Sequence, residues 1–131
     1  EFRRWVDMNA KVLIIETDTA FLQNLALRLR QSGIDVFEAE NQSHAEQVLD
    51  TTTLDVVILD LSGLKQAGLK LLRHIKEDWP EVEVIIINTP EQIGLSIEAM
   101  QIGAFNDLSI PFDLASLLEL IESAYRKRVR S

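Results

Sequence analysis

An α/β fold with a five-stranded parallel sheet, doubly wound into a three-layer sandwich, is what this sequence predicts. Three observations lead there. Short unbroken apolar runs such as Val56-Val57-Ile58-Leu59 read as strands covered on both faces. Stretches with apolar residues at helical spacing separate these runs, so strands and helices alternate five times. Parallel neighbours also need crossover connections, which the intervening helices supply.

Residues 1–9 show no clear period and are expected to form an N-terminal extension or expression remnant. Residues 11–16, Lys-Val-Leu-Ile-Ile-Glu, form a buried strand ending in an acid, followed at once by Thr17 and Asp18. Asp18 or Thr19 caps a helix running through Gln31, with Phe21, Leu22, Leu25, Leu27 and Leu29 on its apolar side. Gly33 closes that helix, and residues 34–39 alternate as a half-buried edge strand does. Residues 43–49 make a short helix with Ala45, Val48 and Leu49 inward. The central strand, 54–60, ends in Asp60. A loop with Gly63 and Gly68 leads to a helix showing Leu69, Leu71, Leu72, Ile75 and Trp79, stopped near Pro80. Residues 82–87 are another β-branched run, ending at Asn88-Thr89-Pro90. Residues 91–102 are helical, with Ile93, Ile97 and Met100 at helical spacing and Gly103 as the stop. Residues 104–110 are a weaker last strand broken by Pro111, and Asp113 caps a final helix striped with Leu114, Leu117, Leu118, Ile121 and Tyr125. Right-handed crossovers leave few topologies for this order, and the flavodoxin-like (βα)5 arrangement is the common one at this length.

The 131 residues suit one domain with a real core. The net charge of −8 hides an asymmetry, because 7 basic and 19 acidic residues lie between Lys11 and Tyr125. Such a body repels nucleic acid. The basic run Arg126-Lys127-Arg128-Val129-Arg130 suits the end of a last helix, set against its dipole, or the start of a linker over 127–131. Cysteine is absent, so disulfide and thiol chemistry are excluded and a reducing, cytoplasmic setting fits. His44 and His74 lack metal-ligand company and are expected on helix surfaces, which argues against zinc. No apolar run approaches the roughly 18 residues of a membrane span, and no signal peptide is visible.

On the expected fold the carboxyl ends of the first, third and fourth strands converge, where ligand sites of open α/β sheets lie. They bring together Glu16, Thr17 and Asp18; Asp60, Leu61 and Ser62; and Asn88 and Thr89. Acids with hydroxyl and amide groups make an oxygen-ligand site for Mg²⁺. An aspartate beside such a cation is a nucleophile toward phosphoryl groups. The plainer reading is that acids collect at the rim of any such sheet, and composition with spacing leaves the two balanced.

The segments Lys11-Val-Leu-Ile-Ile-Glu-Thr-Asp18, Asp55-Val-Val-Ile-Leu-Asp60-Leu, Gly68-Leu-Lys-Leu-Leu, Glu98-Ala-Met-Gln-Ile-Gly-Ala104 and Pro111-Phe-Asp113 tip that balance. In order and spacing the chain resembles the receiver domain of bacterial response regulators over residues 10–126. The resemblance implies that Asp60 accepts a phosphoryl group from a histidine kinase or phosphotransfer protein. It implies Mg²⁺ held by Glu16, Asp18, Asp60 and the backbone carbonyl of Ser62, with Asn88 or Thr89 sensing the product. It also implies no enzymatic activity beyond self-catalysed transfer to Asp60, and an output domain in a longer protein.

Several positions depart from the family pattern. Thr17 stands where the second, metal-ligating acid is usual, which weakens the Mg²⁺ site. Asn88 replaces the hydroxyl residue after the fourth strand, with Thr89 beside it. Ile110 replaces the lysine before Pro111, and no other lysine or arginine occurs between Lys76 and Arg126. Asp107 occupies the aromatic switch position, and Gly63-Leu64 replaces Met-Pro. Three functions follow: a phosphorelay receiver with a compromised switch; a degenerate receiver acting as a phosphorylation-independent interaction module; and a small Mg²⁺-dependent phosphohydrolase with an Asp60 nucleophile. The face formed by the helix after the fourth strand, the last strand and the last helix carries Glu91, Glu98, Asp107, Asp113, Glu119 and Glu122. Like charges across a two-fold axis disfavour self-association there.

Overall fold

The computed structural model describes residues 9–130. Five strands, β1 (Lys11–Ile15), β2 (Asp35–Ala39), β3 (Val56–Asp60), β4 (Glu83–Asn88) and β5 (Asn106–Ser109), form one sheet in the order β2-β1-β3-β4-β5. Every neighbouring pair is parallel. The helices are α1 (Thr19–Gln31), α2 (Gln42–Thr51), the single turn α3 (Leu61–Leu64), α4 (Gln66–Asp78), α5 (Ile93–Ile102) and α6 (Leu114–Val129). A 3-10 turn, Pro90–Gln92, precedes α5. The fold is thus the expected doubly wound sandwich.

Strand alternation sorts the core into two layers. Val12, Ile14, Val56, Ile58, Ile85 and Ile87 point to one face, under α1 and α6. Leu13, Ile15, Val57, Leu59, Val84 and Ile86 point to the other, under α2, α4 and α5. All five residues of β3 and all six of β4 are buried, as central parallel strands demand. Asp18 caps α1 through Phe21 N–H, Asn41 caps α2 through His44 N–H, and Asp113 caps α6 through Ser116 N–H.

The last helix runs through Val129, with Arg126, Lys127 and Arg128 in its final turn. Lys127 lies 3.6 Å from the buried carboxylate of Glu83, and Arg128 reaches Glu81 at 3.5 Å and the Leu54 carbonyl at 3.4 Å. The end of α6 is therefore fastened to the amino edge of the sheet. His44 lies exposed on α2, and His74 on α4 pairs with Glu46 and Asp78 beside Trp79. Among the described residues no helix is long and apolar enough to cross a membrane. The expected extension lies outside the described residues except for Asn9.

Two expectations change. Gly63 and Gly68 are not in an open loop: Gly63 belongs to α3 and Gly68 to α4. A Cβ on Gly68 would stand 2.7 Å from Leu61 Cδ2 and 3.1 Å from Leu64 Cβ, so glycine there allows α3 to pack on α4. Leu27 is 56% exposed, and Ala26 fills its expected place on the buried face of α1. On α5 the buried residues are Ser96 and Ala99, while Ile93, Ile97 and Met100 lie exposed. Apolar spacing shows that residues share a face, not which way that face turns.

Replacing Ile97 with Ala should therefore change stability by no more than about 0.5 kcal/mol. Ile58→Ala, in the fully buried centre of β3, should cost about 2–5 kcal/mol. Urea unfolding of both variants checks this; a large loss in Ile97→Ala would mean that the α5 stripe is not solvent-facing.

Candidate functional site

Strands β1, β3 and β4 adjoin in the sheet, so their carboxyl ends open at one edge. Asp60 closes β3 and also caps α3. Its Oδ1 accepts the Ser62 N–H at 2.9 Å and the Ser62 hydroxyl at 2.5 Å. Its Oδ2 is turned toward Gly63, where a Cβ would stand 3.6 Å away. The same Cβ would meet Thr17 Oγ1 at 2.6 Å, too close for any real side chain. Gly63 thus lies close against Thr17, and a side chain there would require the Thr17 hydroxyl to move.

Glu16 is 2% exposed although it is an acid. Its side chain accepts the Asp18 N–H at 3.1 Å through Oε2, whereas Oε1 is buried without a hydrogen-bond partner. Burial, and next the neighbouring Asp60 carboxyl, push its pKa up to about 8 against the opposing Asp18 N–H. Two carboxylates cannot hydrogen-bond to each other, but a proton on Glu16 gives the pair a bond to share. Each acid is held in the same way, by a backbone N–H two residues downstream. Asp18 itself is exposed, and its Oδ1 accepts the Phe21 N–H at 3.1 Å as the cap of α1.

The other expected residues point elsewhere. Asn88 ends β4 on the same pleat as Val84 and Ile86, toward α5. Its Nδ2 donates to the Gln92 carbonyl at 2.7 Å and to Ser96 Oγ at 2.9 Å. Thr89 is half-buried at the start of the 3-10 turn, and no hydrogen bond joins it to Asp60 among the described residues. Ile110 precedes a cis Pro111 and packs with Phe21, Phe112 and Leu114 against the α1–α6 layer. Asp107 is exposed on β5.

The structure therefore brings Glu16, Thr17, Asp60 and Ser62 together, and turns Asn88, Ile110 and the carboxylate of Asp18 to structural tasks. Among the described residues no three acids, histidines or cysteines form one cluster. Two adjoining carboxyls with an unpartnered oxygen still fit a divalent cation that keeps several waters. Sequence reading missed the Ser62 hydroxyl, although its place two residues after an aspartate is a turn signal. It also missed the Gly63 contact with Thr17 and the Ser96 contact with Asn88, for which local spacing carries no signal.

The response regulator receiver domain family matches residues 12–122. The response regulator protein PilR of Pseudomonas aeruginosa is 29% identical over 118 residues, 90% of this chain and 26% of its own length. The DNA-binding transcriptional regulator NtrC of Escherichia coli is 30% identical over 113 residues, 86% of this chain and 24% of its own length. The chain thus spans about a quarter of these curated relatives. Among solved structures, a response regulator receiver domain protein from Clostridium thermocellum superposes with a TM-score of 0.85 at 31% identity, covering 93% of this chain and 99% of that one. NtrX from Brucella abortus, solved with ADP, shares the fold with a TM-score of 0.85 at 24% identity, covering 93% of this chain and 27% of its own. With the family match spanning nearly all of the described residues, this chain belongs to the receiver domains of two-component response regulators.

Proposed function

We propose that Asp60 is the phosphoacceptor of this receiver and that the switch around it is compromised. The observation that supports the reading is that Asp60 ends the buried central strand at the carboxyl edge, one carboxylate oxygen pinned by Ser62 and the other directed toward Gly63. In this mechanism the Asp60 oxygen not held by Ser62 attacks the phosphorus of a histidine kinase phosphohistidine, and the bond from phosphorus to imidazole nitrogen breaks. The Ser62 N–H and hydroxyl keep the other oxygen from competing.

Glu16, Asp18, Asp60 and the Ser62 carbonyl would hold Mg²⁺. When bound, the cation offsets charge on the phosphoryl oxygens. Thr17 leaves this site one acid short. Position 110 carries no lysine and none lies near it in sequence, so a strong charge-assisted contact to phosphate is missing there. The body of the receiver includes the end of α6, whose Lys127 and Arg128 contact Glu83, Glu81 and Leu54; an output domain in a longer protein and a cytoplasmic setting complete the reading. Nucleic acid is not a partner of this domain, whose body is strongly acidic.

With Mg²⁺ and acetyl phosphate, intact-mass measurement should show a single phosphoryl adduct that is absent in Asp60→Asn. An adduct surviving in that variant would place the chemistry elsewhere, and steady phosphate release from many monoesters would favour a hydrolase. Restoring a cation with Ile110→Lys should raise the adduct's rate of formation roughly tenfold, the value of one charge-assisted hydrogen bond. No gain would show that the apolar residue is not what limits the switch.

Glu16 also sets a pH dependence. The folded chain keeps its proton up to about pH 8, whereas the ordinary value is 4.5. A folded state holding more protons than the unfolded one loses stability as pH rises. The contribution of Glu16 is therefore complete below about pH 4.5 and lost by about pH 8. Denaturation midpoints of Glu16→Gln should lack this decline, and parallel wild-type and variant curves over that window would refute it.

A further inference from the structure

The side-chain amide of Asn88 has two N–H groups, and both are used on the α5 side of the sheet. One reaches the Gln92 carbonyl at the 3-10 turn, and the other reaches Ser96 Oγ inside α5. Asn88 is 3% exposed and Ser96 5% exposed, so neither exchanges its partner cheaply for water. Pleating sets Asn88 opposite in sense to Asp60, because Asp60 pairs in register with Ile87. An amide in this position has no donor left to offer a group on Asp60. Ser96 and Ala99 are the fully buried residues of α5, with Leu95 and Ile102 packed half-buried on the same core layer, so this polar contact adds a fixed point to an otherwise apolar seat. The outer face of the same helix shows Ile93, Ile97 and Met100 to solvent.

We infer that Asn88 is a positioning residue that latches α5 to the end of β4 through Ser96 and Gln92, so the apolar face of α5 is presented in one place whatever the chemical state of Asp60. This rests on the reading of Asp60 as phosphoacceptor only for its second half. The latch itself exists in the unmodified protein and is testable there. A residue with a single hydroxyl at position 88 cannot make both bonds, and would free α5 to follow events at Asp60.

Hydrogen exchange of α5 amides, read by amide spectra with and without beryllofluoride and Mg²⁺, tests both halves. In the unmodified protein, Ser96→Ala and Asn88→Ala should each exchange roughly three- to tenfold faster along α5, with β1 and β3 unchanged. Ser96→Ala removes one hydroxyl and serves if Asn88→Ala fails to fold. Beryllofluoride should leave α5 of the wild type unchanged and shift it in Asn88→Thr. Unaltered α5 exchange in Ser96→Ala would overturn the latch, and a wild-type α5 that responds as much as Asn88→Thr would overturn the uncoupling. If beryllofluoride fails to bind at all, the phosphoacceptor reading falls, while the exchange comparison still decides the latch.

Discussion

Two carboxyl groups placed side by side out of water govern the carboxyl edge of this sheet. Glu16 and Asp60 end neighbouring strands, and the strands are fixed by a core in which β1, β3 and β4 are almost wholly buried. Like charges in such a place repel strongly, so one acid must keep a proton or both must share a cation. The surrounding backbone does what it can. One oxygen of each acid accepts an N–H from two residues downstream, while the other oxygen of Glu16 stays buried without a partner. Thr17 adds a hydroxyl rather than a third charge, so a single proton is enough to quiet the site.

Two positions read as departures from the receiver pattern are here spent on packing. Ile110 joins Phe21, Phe112 and Leu114 on the α1–α6 layer, and Asn88 braces α5. Neither change disturbs the fold, because each places its side chain where the local environment suits it: an aliphatic group among apolar neighbours, an amide facing a carbonyl and a hydroxyl. Side chains at the carboxyl edge can therefore vary while the scaffold stays intact.

Most of the scaffold was legible in the residues themselves. Unbroken β-branched runs marked β1, β3 and β4, and Asp18 and Asp113 marked their helices, because each signal acts over a few residues. The pairing of Glu16 with Asp60 was legible too, once the strand order was inferred. The orientation of α5 was not, since Ser96 and Ala99 are small and Ile93, Ile97 and Met100 present the stronger stripe. The hydroxyl of Ser62 and the amide of Asn88 were hidden for another reason. Which partner a rotatable polar group selects depends on atoms far away in sequence.

The fastening of α6 gives the molecule a direction. Arg128 holds the Leu54 carbonyl, and Asp60 lies six residues further along the same chain, roughly 20 Å at the rise of an extended strand. A partner gripping the last turn of α6 would stand at the far pole from the acids and touch none of them. For such a partner, news of the acidic edge must arrive as a tilt of a stiff rod pivoting on Glu81, Glu83 and Leu54.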